Sequence, residues 1–255
     1  MALVPAFLLI GIILLLLLSI EAGRRTAMRR LAQTGKGAAK VAAPVEGSVY
    51  GLMGLLVAFT FYGAAGRFEA RRSLIVQEAN ALGTAYLRVD LLPPEIQPQI
   101  REDFRAYLRS RLDAYRKIPD VEATKAAIAL STTLQKILWA RAVAATRGSS
   151  PSTQTLFLSS LNESIDITTA RTVALSTHPP TAVFALLGLS VIASSVLAGY
   201  SMAASRIRSG LFEPIYAVVL GTALFVTMDY EYPRLGFIRI DPVDTVLVNT
   251  LEQMK

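Results

Sequence analysis

Two carboxylate pairs and one imidazole are the side chains in this sequence best placed to do chemistry. Glu163 and Asp166 are three residues apart. On a helix they share a side, where they could share a proton or hold a hard cation. Asn162 and Arg171 are close in sequence, so the same spacing also fits a solvated or ion-paired face. Asp229 and Glu231 close a long apolar run. Ionisable groups within a bilayer are costly and often functional, but these lie at its edge with Arg234 and Arg239 following, which predicts an interfacial ion-pair network. His178, the one histidine, precedes Pro179-Pro180. It reads as a helix-end residue beside terminal carbonyls, with a proton-sensitive switch as the sharper alternative. One histidine and no cysteine leave little for a transition-metal site or histidine-based catalysis. No phosphate loop, dinucleotide fingerprint, H-E-x-x-H or G-x-S-x-G is present. The expectation is therefore no catalytic residue, no metal and no cofactor.

These groups hang on apolar helices. A bilayer core about 30 Å thick needs roughly 20 apolar residues in a helix. The sequence offers four such segments: transmembrane helices at 1–20, 45–66, 179–204 and 211–230. The first lacks a charged leader and a clear cleavage pattern, and Arg24, Arg25, Arg29 and Arg30 follow it, so it reads as a retained anchor. Residues 21–44 read as a flexible basic connecting loop containing Gly35 and Gly37. Gly47 and Gly51 form a small-xxx-small pair, joined by Gly54, and predict a close-packed seam in the second span or a chance run of glycine. Ser190, Ser194 and Ala198 recur every four residues and mark a second packing face.

Residues 67–178 carry much of the charge and read as a helical extramembrane domain. No turn signal separates the second span from Ile75, Ala79, Leu82, Tyr86 and Val89, so one long helix is predicted, stopping at Pro93-Pro94. A second helix starts at Pro94 and buries Ile96, Ile100, Phe104, Leu108, Leu112 and Tyr115. A third covers about 120–146 with Val121, Ile128, Ile137 and Leu138 inward. A fourth reaches about 177 with Leu158, Leu161, Ile165, Thr169 and Thr172 on one stripe. Residues 231–255 form an amphipathic C-terminal segment, with Asp241 as N-cap. No strand is predicted, and the fold class is all-α: a four-span membrane protein with a helical bundle between spans 2 and 3.

The net charge of +7 is modest and carries no basic stripe with interleaved aromatics, so anionic lipid is a better partner than nucleic acid. Four spans put both termini and the helical domain on one side. The opposite loops hold Arg24, Arg25, Arg29, Arg30, Lys36, Lys40, Arg206 and Arg208, which the positive-inside rule assigns to the cytoplasm, leaving the domain outside an inner membrane. Arg67, Arg71 and Arg72 oppose that assignment.

The segment G-L-L-V-A-F-T-F-Y-G-A-A-G-R-F-E-A-R-R, from Gly54 to Arg72, resembles the corresponding part of bestrophin-type channels. Further stretches resemble a bacterial family of bestrophin-like membrane proteins: Val76 to Pro93, L-N-E-S-I-D-I-T-T-A-R-T from Leu161, T-H-P-P from Thr177 and E-Y-P-R-L-G-F-I-R from Glu231. The resemblance implies a homo-oligomer, pentameric in bestrophins, with an axial pore lined by the second span and passing inorganic anions. Carried over by spacing from Arg67, the hydrophobic neck falls on Phe59, Leu55 and Gly51, with Arg67 and Arg71 as pore-mouth residues. Gly51 departs from the bulky apolar type and widens the path. The long basic connection and the external domain are further departures. Ordinary interhelix or lipid contact is the alternative role for Phe59 and Leu55. The alternative function is a non-conducting scaffold or sensor whose helical domain binds a partner.

Overall fold

The computed structural model describes residues 3–34, 39–204 and 210–254. Those residues form eight α-helices: α1 Leu3–Thr34, α2 Ala39–Leu87, α3 Gln97–Arg116, α4 Val121–Ala145, α5 Pro151–Ser176, α6 Thr181–Ala204, α7 Phe212–Glu231 and α8 Thr245–Gln253. No strand occurs among them, and four helices are long and apolar enough to cross a membrane. The chain divides into two compact units, Met1–Phe68 with His178–Ile238, and Glu69–Thr177 with Arg239–Lys255.

The expected loop at 21–44 is corrected: α1 continues to Thr34 and α2 begins at Ala39. Residues 21–34 contain no proline, and Glu21 pairs with Arg25 one turn on, at 2.7 Å, which suits a helix. Gly35, Lys36 and Gly37, with Arg206 and Arg208, lie outside the described residues, as does the side chain of Lys40.

In the first unit, Leu16 and Ile20 of α1, Leu187 and Val191 of α6 and Ala217 and Leu220 of α7 form the core. Within lipid, such helices gain from close packing and satisfied polar groups rather than from escaping water. Closest packing comes at two glycines. A Cβ on Gly23 would lie 1.9 Å from the Val196 carbonyl oxygen, and one on Gly199 1.8 Å from that of Ile20. The two backbones therefore touch, and no side chain fits at either position. Ser190, Ser194 and Ala198 are buried in this unit. The Ser190 and Ser194 hydroxyls donate to Leu187 O and Val191 O, and Tyr216 donates to Ser194 Oγ at 3.0 Å, so these polar groups are satisfied locally. The seam expected at Gly47, Gly51 and Gly54 is not formed within the chain, because a Cβ on any of them would meet nothing within 4 Å.

In the second unit, α3 follows the expected amphipathic pattern but starts at Gln97 rather than Pro94, with Pro98 in its first turn, where a missing N–H costs no helical bond. Asp120 caps α4 by accepting from Ala123 N at 3.0 Å, and Ser150 caps α5 by accepting from Thr153 N at 3.2 Å. Two buried faces differ from expectation. On α4, Val121 and Ile137 point outward and the small residues Ala127, Ser131, Ala142 and Ala145 are buried with Leu138. On α5 the buried stripe is Phe157, Ser160, Leu161, Ser164, Thr168 and Arg171. Its serines bond back to their own helix and so can face the core. Asp241 is not the expected N-cap. It lies within the 3-10 turn Asp241–Asp244 that precedes α8, and it accepts from Arg239 Nε at 2.5 Å.

Candidate pore face and its buried ion pairs

In the first unit, α2 meets the core through Met53, Leu56 and Val57, an i, i+3, i+4 face. The opposite side carries Gly51, Leu55, Phe59 and Tyr62. Phe59 is 65% exposed and Leu55 52%, although both are large and apolar. Only 6% of the apolar window of α2 is buried, against 22%, 39% and 33% for the windows in the other three candidate spans. One span therefore has a long apolar face that this chain alone does not cover.

Arg67 turns the other way. Its guanidinium makes a forked pair with Glu231, Nε to Oε2 at 2.9 Å and Nη2 to Oε2 at 2.8 Å. His178 Nδ1 meets Glu231 Oε1 at 2.9 Å, and its ring stacks on Tyr232 at 4.8 Å. Glu231 is 1% exposed while its partners Arg67 and His178 retain 29% and 30%. Arg71, assigned to the second unit, is buried and donates to Ala174 O at 3.0 Å and Thr177 O at 2.9 Å. It satisfies carbonyls at the end of α5, where a cation is favoured. Both arginines expected at the pore mouth thus have partners within their own units.

Asp229 is held by main-chain donors of its own unit. Its oxygens accept the backbone N–H groups of Phe237, at 3.0 Å, and Ile238, at 2.7 Å. Gly236 makes this possible, since a Cβ there would overlap the Asp229 carboxylate. Glu231, not Asp229, is the centre of the ion-pair network. His178 belongs to that network, not to a helix cap. Glu163 and Asp166 are both exposed, and Asn162 Nδ2 donates to Asp166 Oδ2 at 2.9 Å. Among the described residues, no three His, Asp or Glu side chains gather to hold a metal.

The sequence reading missed a second cluster, in the second unit. Glu78 is fully buried on α2. Arg111 Nε donates to its Oε1 at 2.9 Å, Arg171 Nη1 donates to its Oε2, and Thr168 Oγ1 approaches Oε1 at 3.3 Å. Tyr107 OH lies 3.0 Å from Thr168, and the Arg171 guanidinium sits 4.0 Å from the centre of the Tyr115 ring. Asp244 Oδ1 is 3.7 Å from Arg171, which brings a second negative charge to that arginine. Burial pushes the Glu78 carboxyl up, but Arg111 and Arg171 outweigh it and hold it below its ordinary 4.5. Burial likewise pushes the Tyr107 phenol up. A signal was available: Glu78 stands between Ile75 and Leu82 on the core stripe, where a lone charge demands a partner.

The Bestrophin-like domain family matches residues 10–245. The chain belongs to the bestrophin-like family. Solved structures share the fold. A bacterial bestrophin homologue from Klebsiella pneumoniae, solved by zinc anomalous phasing, has a TM-score of 0.69 at 17% identity, covering 98% of this chain and 97% of that one. Two single-substitution variants of the Klebsiella homologue give TM-scores of 0.71 and 0.70 at 16% identity, covering 96% and 98% of this chain and 98% of each of theirs. No curated protein matches. This bestrophin-like chain carries both ion-pair centres on stretches that bore the resemblance: Glu78 follows Val76, Arg171 lies in the run from Leu161, and Glu231 opens E-Y-P-R.

Proposed function

We propose that this bestrophin-like protein is a homo-oligomeric channel whose copies pack around an axis and line a pore with α2. One observation carries this reading: the apolar window of α2 is 6% buried in the single chain. A face bearing Phe59 and Leu55 can be covered by lipid or by other copies, and cyclic assembly gives every copy the same neighbours. In this reading Leu55 and Phe59 form a hydrophobic neck that gates by dewetting, and Gly51 leaves a wider level beside them. Gly47 and Gly54, open on their outer side, allow close approach of a second copy. The copy number is five and the permeant ions are inorganic anions, both by the family resemblance. In this reading the basic residues flanking the first and third spans favour a helical domain on the non-cytoplasmic side of the cell membrane, against the pull of Arg67, Arg71 and Arg72.

The test is electrical. Purified protein in planar bilayers should conduct, and Phe59→Ala should raise unitary current about twofold or more, with a smaller rise for Leu55→Ala, because a dewetted constriction is widened. A correctly assembled oligomer that stays silent would instead favour a scaffold whose domain binds a partner. The outward Val121, Leu130 and Ile137 of α4 supply the apolar surface which that second reading needs.

A further inference from the structure

Sequence alone offers Arg67 and Arg71 as the groups that would favour anions, but both guanidiniums are engaged, one by Glu231 and one by the end of α5. A donor with no partner of its own on the open face would be freer to meet the ion. Along the open face of α2, Leu55, Ala58 and Phe59 have no side-chain donor, and Thr60 turns inward to donate to Leu56 O. Tyr62 is different. It is 79% exposed, the most of any large hydrophobic side chain among the described residues, and its hydroxyl makes no hydrogen bond among them. Tyr62 lies seven residues from Leu55, nearly two turns, and so falls on the same line of the helix. Its neighbour Phe61 instead packs edge-on against Tyr230 at 5.7 Å. Gly66, one turn further, adds no bulk.

We propose that the Tyr62 hydroxyl lines the conducting path just beyond the neck and donates a hydrogen bond to the passing anion, making it a specificity-determining residue. The inference rests on the pore reading above. Apolar Leu55 and Phe59 strip water without replacing it, so the first donor after them decides which ions recover that loss. Chloride holds water more tightly than thiocyanate and gains more from a ring of phenols. A charged acceptor strengthens each such bond.

Tyr62→Phe removes only the hydroxyl. The thiocyanate-to-chloride permeability ratio should rise about three- to tenfold, the loss of one modest hydrogen bond. An unchanged ratio, in a protein whose current still responds to Phe59→Ala, would overturn the role of Tyr62 and leave the neck standing. The chain has no cysteine, so Tyr62→Cys provides a single thiol. A charged methanethiosulfonate reagent should block its current if the position is wetted. An unmodified thiol would place Tyr62 against lipid and defeat the proposal. If wild-type protein and Phe59→Ala are both silent in bilayers, the pore reading fails and this inference fails with it.

Discussion

Each unit builds an ion-pair centre around one buried glutamate, and the two differ in their walls. Glu78 is enclosed by Arg111 and Arg171, whose side chains are 3% and 5% exposed. Glu231 is as deep, but its partners Arg67 and His178 remain about one-third open. A sealed centre cannot recover water when a partner is lost, while an open one can. The first therefore fixes three helices of its bundle, whereas the second ties Arg67 of α2 to Glu231 of α7 at lower cost to release.

Glu78→Gln should break the contrast most severely. It leaves two buried arginines without their shared carboxylate, and full-length protein in detergent should lose about 3–5 kcal/mol, read as a melting temperature lower by on the order of 10 °C. Glu231→Gln should cost less, about 1–3 kcal/mol, because Arg67 and His178 can turn to water. Acid sharpens the difference. The folded Glu78 carboxyl is held below its ordinary 4.5, so its contribution is fully present above that pH and is lost as pH falls through the lower folded value. Thermal melts should be flat with respect to Glu78 from neutral pH to about 5 and fall below about 4, with the Glu78→Gln variant showing a shallower decline. His178→Gln is expected to have the smallest effect, under about 1 kcal/mol, since Arg67 still holds the carboxylate and an amide can replace the ring donor.

Much of the fold was legible because lipid and proline write plainly. Apolar length gave the four spans, and Pro93-Pro94, Pro119 and Pro179-Pro180 stopped the helices between them. Faces were harder. Serines on α5 satisfy their hydroxyls on their own backbone, so they bury as readily as leucine and move the core stripe to Phe157, Ser164 and Arg171. Three small-xxx-small pairs, Gly47 with Gly51, Ser19 with Gly23 and Ser195 with Gly199, are equivalent as spacing. Only the latter two meet a helix within the chain, and spacing holds no information about which surface finds a partner. The same limit applied to the arginines. Arg67 gives no hint in its own neighbourhood of Glu231, 164 residues away in sequence, which engages it.

The contact of Gly23 and Gly199 with facing carbonyls also restricts how the molecule can move. Sliding α1 along α6 would drive a Cβ into main-chain oxygen within one step, so those two helices behave as a single rigid strut. The second span leans on that strut through Met53, Leu56 and Val57, side chains that can repack. Any motion of α2 in this unit should thus be a roll or tilt against a stationary pair.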